Sequence, residues 1–342
     1  LHFEIRNNHG EPINPIKDYF KIEDLLEPIA KSISFIPLKS NSWVNGIQDY
    51  VTYDLININK NKYVLQDTIA LIGDFGIAIE TYDKINNLPL FKFGVYDIKL
   101  FIDNILTYSI TFDKYNFSED SMVYTEIDYK LLEEGKISHR LFNTQKQKLS
   151  FINLENEGII NLDNQFHNFM INVSDVNENL IQIQGVLIGE MNQNPSIDLY
   201  ENIDKQLIIE TNQNNVSFNF CSKYNNIGCS EGENLIQSIG NNIYEINNYD
   251  INYDVLEYFS INKKGLKSIK SYTTLYPFKP FKINGSFNLK HIEAGIIIEF
   301  VEDVFSGYTP QLTIISDNQG EKITLYRKEK NILSSNIIKI NN

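Results

Sequence analysis

The chain has 342 residues and a formal net charge of -14, with 44 Asp and Glu against 30 Lys and Arg, the Lys dispersed among the acids. That balance argues against a nucleic-acid surface, which needs clustered cations to replace counterions, and no apolar run reaches the ~18 residues that span a bilayer. The length exceeds what one core usually organises, and 42% hydrophobic residues with 20 Tyr, 21 Phe and abundant Ile favour strands over helices.

Leu1, Phe3 and Ile5 alternate with His2, Glu4 and Arg6, which predicts an opening strand with one buried face and His2 on the other. Pro12 to Pro15 read as a turn, and residues 22–28 as a connector stopped by proline. A new unit starts near residue 31, with a strand over 33–38 and a second short strand ending in an Asn45-Gly46 turn. Strands are predicted over 69–83, 94–103 and 105–112, the last two joined by a tight Asp103-Asn104 hairpin. Gly73 and Gly76 interrupt an apolar run, which points to a bulge or a close approach of sheets.

Residues 113–160 are the least strand-like, a long excursion with a short helix over 128–134 ended by Gly135. Strands over 166–173 and 180–188 close a sandwich, and the polar stretch 189–195 marks a boundary. Beyond it a second β-rich region is expected, with strands near 205–211, 216–220, 243–246, 295–301, 311–315 and 322–327. Cys221 and Cys229 are the only cysteines. A local disulfide and two reduced, half-buried thiols both fit them, and without a nearby His they make a poor zinc site.

Among residues that could carry chemistry, His2 stands where a metal ligand on a strand would sit. Asp74, Glu80, Asp83 and Asp97 could offer oxygen ligands to calcium at a sandwich edge, although their spacing matches no EF-hand loop. His139 with Arg140, His167 and His291 lie far apart, without a Cys or carboxylate at ligand spacing, and read as structural. The pairs Glu133 with Glu134 and Glu299 with Glu302 read as solvated acids, since glycosidase chemistry needs two carboxylates set across a cleft. There is no P-loop.

Leu1-His2-Phe3-Glu4-Ile5-Arg6 followed by Pro12-Ile13-Asn14-Pro15 resembles the end of the catalytic domain of the lysostaphin and LytM-type zinc metallopeptidases, peptidase family M twenty-three. In that family an H-x-H strand runs into F-E-[IV]-R and a proline-rich exit. The resemblance implies a zinc ion held by two His and one Asp, acting on peptidoglycan peptide crosslinks. His2 matches the second His of H-x-H, a zinc ligand; the first, the H-x-x-x-D pair and the other catalytic His have no counterpart here. Residues 69–83, 94–103 and 139–142 resemble the immunoglobulin-like domain that follows the catalytic domain in Bacteroidetes-type members.

The expected fold is therefore all-β, with tandem immunoglobulin-like β-sandwich domains preceded by the last strand of a truncated peptidase domain. The expected division is 1–19 for the peptidase remnant, 20–30 for a linker, 31–189 for a sandwich with a long insertion, and 195–342 for the second β-rich region. A catalytic zinc needs about three protein ligands and an open site, so zinc belongs to the intact parent protein, and this chain is expected neither to bind it tightly nor to cleave peptidoglycan. The resemblance implies an exported protein, periplasmic or at the cell surface, engaging peptidoglycan or another envelope component; any export signal or lipid anchor would lie upstream of Leu1. A stand-alone surface β-sandwich that binds glycan or protein is the alternative.

Overall fold

In the computed structural model nearly all of the regular secondary structure is strand, with burial that alternates along segments such as 97–102, 166–174 and 216–221. It describes residues 4–20, 22–86, 90–145, 149–153, 157–204, 206–221, 229–231, 235–247, 255–275, 287–301, 311–316 and 319–339. Two compact units divide the chain, residues 1–44 with 49–190, and residues 45–48 with 191–342. Among the described residues no helix is long and apolar enough to cross a membrane.

In the first unit, β1 (Ile5–Arg6) and β2 (Pro12–Ile13) pair antiparallel as a two-stranded sheet of their own. The Asn7 side chain closes the turn between them by accepting from the amides of His9 and Glu11. Pro12 and Ile13, expected in a turn, are thus a strand, one in which Pro12 can take an edge position because a ribbon has only edges. A single helical turn, α1 (Pro15–Asp18), follows with Asn14 as its cap and Pro15 at its first position. This segment meets the next layer at Asp113, whose backbone oxygen accepts from the Asn14 amide at 2.9 Å and whose carboxylate pairs with Lys17 at 2.6 Å.

The sandwich strands are β3 (Ile29–Pro37), β4 (Trp43–Val44), β5 (Val51–Asp54), β6 (Ile56–Asn59), β7 (Lys62–Val64), β8 (Ile69–Ile72), β9 (Phe75–Tyr82), β10 (Asp97–Ile102) and β11 (Ile105–Thr111). After the helix α2 (Tyr129–Glu133) come β12 (Ser138–Arg140), β13 (Ile152–Asn153), β14 (Phe166–Ser174) and β15 (Leu180–Ile188). One sheet has the order β12-β9-β3-β5; the other runs β13-β11-β10-β14-β15-β7-β6, with β8 on β15 and β4 on β8. The larger sheet is mixed, because β7 and β8 lie parallel to β15.

Phe35 on β3 meets Phe169 on β14 edge to face, ring centroids 6.4 Å apart, in a core that includes Ile33, Ile77, Ile98, Leu100, Ile171 and Ile183. Full burial of each such side chain contributes about 1.5–3 kcal/mol. The predicted strand over 69–83 is broken in two. Gly73, at φ +85°, turns the chain between β8 and β9, which belong to different sheets. Gly76 is a point of close approach, since a Cβ there would lie 2.2 Å from the Phe142 ring. Asp103 and Asn104 both adopt left-handed backbone between β10 and β11, as a two-residue hairpin requires. Within the excursion, Asp128 caps α2, Gly135 ends it at φ +80°, and β12 joins the edge of the smaller sheet beside β9.

The second unit contains β16 (Ile197–Glu201), β17 (Leu207–Thr211), β18 (Val216–Cys221), β19 (Ser230–Glu231), β20 (Ile236–Gly240), β21 (Ile243–Ile246), β22 (Val255–Ser260) and β23 (Ser271–Thr274). They form two four-stranded sheets, β16-β17-β21-β20 and β19-β18-β22-β23. Between these sheets Leu207, Ile209, Phe218, Phe220, Ile246 and Leu256 make a smaller core. The chain ends in a five-stranded sheet of β24 (Phe287–Ile292), β25 (Gly295–Val301), β26 (Gln311–Ser316), β27 (Gln319–Glu329) and β28 (Ile332–Ser335), in the order β24-β25-β28-β27-β26. The chain is all-β, with tandem β domains.

Candidate functional site

His2, the residue matched to a zinc ligand, lies outside the described residues. Of its neighbours, Glu4 and Arg6 form an ion pair, and the Arg6 guanidinium lies 4.9 Å from the centroid of the Phe117 ring. Among the described residues, neither cluster able to hold a metal contains a histidine. His139 is buried on β12 with Nδ1 against the Glu126 carboxylate and its ring 5.6 Å from that of Phe112. His167 at the start of β14 bridges two acids, Asp103 at 2.6 Å and Asp163 at 3.0 Å, and its pKa is raised chiefly by the Asp103 hydrogen bond. His291 is exposed on β24.

The four acids considered together as calcium ligands are dispersed. Asp74 pairs with Lys39 and accepts from Asn161, which holds its carboxyl below the ordinary range. Glu80 accepts from Ser32 at 2.9 Å and faces Lys31 at 3.5 Å. Asp97 is bound by Thr111 at 2.8 Å and Lys99 at 2.9 Å. Only Asp83 enters a cluster. Glu133 and Glu134 are exposed on and after α2, whereas Glu299 is buried between Lys290 and Lys328; Glu302 lies outside the described residues.

Asp83 directly follows β9, where its backbone exchanges two hydrogen bonds with Phe93. Beside it stand Asp175, which opens the turn from β14 to β15, and Asp24, on the connector before β3. One carboxylate oxygen of each lies within 4.8 Å of the others, and the residues are 5%, 5% and 7% exposed. Local turn chemistry holds two of them. Asp175 accepts from the backbone amides of Asn177 and Asn179 and from the Asn179 side chain at 2.7 Å, and Asp24 accepts from the Leu26 amide. The Asn179 amide also donates to the Asp24 carbonyl oxygen, and Asn177 donates to that of Ile22, so the turn clamps the connector.

Asp83 is less well supplied: its Oδ1 is buried with no hydrogen-bond partner among the described residues. Burial pushes its carboxyl up to about 7, against an amide from Lys84, and the charges of Asp175 and Asp24 add to the rise. Asp175 is raised for the same first reason. Among the described residues no Lys, Arg or His forms an ion pair with any of the three. An all-oxygen, anionic donor set of this kind suits a hard divalent cation and offers no nucleophile or acid–base pair aimed at a cleft.

Cys221 and Cys229, drawn near Glu257, form a disulfide, which resolves the open choice and removes them as ligands. Glu257 is satisfied by Asn219, Tyr272 and Lys270 at 2.8, 2.7 and 3.0 Å. A cavity of about 250 Å³ between Pro12–Asn14 and Phe112–Tyr115 is mostly apolar, and its charged members Asp113 and Lys114 are paired with Lys17 and Glu11.

Sequence reasoning found Asp83 but missed Asp24 and Asp175. For Asp175 a signal existed, the alternation Asp175-x-Asn177-x-Asn179, which resembles the start of a calcium loop without its glycine. For Asp24 there was none beyond a carboxylate in a connector.

No family model matches the chain, and no curated protein matches it. Among solved structures, it is similar to the extracellular cadherin domains 3–6 of protocadherin gamma B2, at 11% identity and a TM-score of 0.16, covering 83% of this chain and 65% of that one. It is also similar to PcdhgB3 EC1–4, at 12% identity and a TM-score of 0.15, covering 86% of this chain and 71% of that one. At such scores the likeness carries neither fold nor function to this chain.

Proposed function

We propose that this chain is a non-catalytic accessory region of an exported zinc metalloendopeptidase that cleaves peptidoglycan crosslinks. The observation that carries this proposal is Leu1-His2-Phe3-Glu4-Ile5-Arg6 with its Pro12-Ile13-Asn14-Pro15 exit. Two structural features support it. The described part of the motif belongs to a ribbon and helical turn separate from the sandwich sheets, and the Cys221–Cys229 disulfide belongs to an oxidising compartment. The tandem β domains would then position the enzyme or engage peptidoglycan or another envelope component. With His2 as the one ligand carried over from the motif, the chain itself would neither hold zinc tightly nor hydrolyse crosslinks.

The test combines metal analysis with sedimentation of the full chain on purified peptidoglycan. Binding without stoichiometric zinc or hydrolysis is expected; zinc with hydrolysis overturns the accessory role. An H-x-x-x-D pair in frame before Leu1 is also expected. If the upstream sequence lacks it and the chain instead selects a glycan or protein ligand, the stand-alone binding module takes its place.

A further inference from the structure

We propose that Asp24, Asp83 and Asp175 form a calcium site that ties the connector before β3 to the end of the first sandwich. This site is independent of the peptidase proposal. Three observations on this corner agree.

The distances fit one coordination sphere. Oxygens on opposite sides of a Ca²⁺ ion lie about 4.6–5.2 Å apart, twice a bond of about 2.3–2.6 Å, and all three carboxylates offer oxygens within 4.8 Å of one another. The charge demands a partner. Burying a carboxylate costs several kcal/mol unless it is paired, and here three are buried side by side, with no ion-pair partner among the described residues. Finally, the hydrogen bonds are unevenly distributed. Asp175 and Asp24 are oriented by backbone and Asn amides, whereas the buried Asp83 Oδ1 has no partner among the described residues and stands ready as a ligand.

The donor set selects the ion. Carboxylates without thiolate or imidazole favour a hard cation, and Ca²⁺ accepts the irregular geometry that three separate chain segments supply, where Mg²⁺ demands a near-ideal octahedron. Because Asp24 stands on the connector while Asp83 and Asp175 belong to the sandwich, the ion would fix the entry of the chain into the sandwich. The Asn177 and Asn179 clamps on the Ile22 and Asp24 carbonyls already place the connector for that role.

The experiment is calorimetric titration of the chelator-treated full chain with CaCl₂ and with MgCl₂, beside thermal melts and limited proteolysis of the connector. One Ca²⁺ per chain is expected, with a Kd in the range of about 10⁻⁶–10⁻³ M, a raised Tm and slower cleavage within residues 22–28. Asp83→Asn should weaken Ca²⁺ binding by about tenfold or more. Asp24→Asn, on the connector and outside every sheet, should do the same, while Asp163→Asn should bind as the parent does. The proposal is overturned if no binding is seen up to about 10 mM Ca²⁺, as when a retained proton alone settles the cluster. It is equally overturned if the two cluster variants bind like the parent, or if Mg²⁺ binds as tightly as Ca²⁺.

Discussion

At the start of β14, His167 lies between two largely exposed acids, Asp103 and Asp163. Its hydrogen bond is the chief cause that holds the Asp103 carboxyl below the ordinary range, and at Asp163 it adds to the larger lowering by the Gln165 backbone amide. One residue past the end of the same strand, Asp175 shares a buried corner with Asp24 and Asp83 and with no basic partner among the described residues. The contrast shows where this chain balances its own charge. A group that can gain a proton suffices at the wet end, because water screens what remains. At the dry end screening is weak, and the balance has to come from a bound ion or from protonation.

The widest test of this contrast lies in the strand that separates the two ends. Phe169, 1% exposed and packed on Phe35, anchors β14 in the core. Phe169→Ala should cost about 3–5 kcal/mol in urea unfolding; a much smaller loss would mean that the ends do not depend on a common rigid strand.

Asp83→Asn probes the dry end directly. In chelator the substitution should stabilise the chain by about 1–3 kcal/mol, because it removes an unpaired buried charge while keeping the shape. Destabilisation in thermal melts would mark Asp83 as a satisfied structural group and erase the contrast.

Asn179→Ala removes the donor shared by the Asp24 carbonyl and the Asp175 carboxylate. A loss of about 1–2 kcal/mol is expected, together with faster proteolysis of residues 22–28. An unchanged cleavage pattern would show that the turn does not clamp the connector.

The smallest effect belongs to the wet end and depends on pH. His167 has a raised pKa in the folded state, so its stabilisation is fully present below the ordinary value of 6.5 and is lost as pH rises through the raised folded value. His167→Gln should therefore lower Tm at pH 5.5 by a few degrees at most, and by less at pH 9. A deficit that grows with pH would contradict the ion-pair role.

Much of the fold is legible locally. Asp103-Asn104 forecasts its hairpin because both residues tolerate left-handed backbone, and Asp128 with Gly135 brackets α2 because a cap and a left-handed stop need those residue types. The short strands β5 to β7 escape notice. β6 is exposed along its whole length, so it lacks the apolar alternation that reveals a half-buried strand. The split of the 69–83 run is equally hidden, since an apolar stretch reads alike whether it stays in one sheet or crosses to the facing one; Gly73 is its only mark.

The sequence by itself determined the class of the protein, the principal turns and the strands whose alternation or apolar runs are strong, because these follow from backbone preference and periodicity within a few neighbouring residues. It also marked Cys221 and Cys229 as a possible pair, without choosing the disulfide. Only the tertiary structure brought Asp24, Asp83 and Asp175 together. Their meeting depends on which strand ends the sheets bring to one corner and on how the connector is clamped there. Burial then turns three ordinary surface-type residues into a charge cluster, an environment that no local pattern encodes.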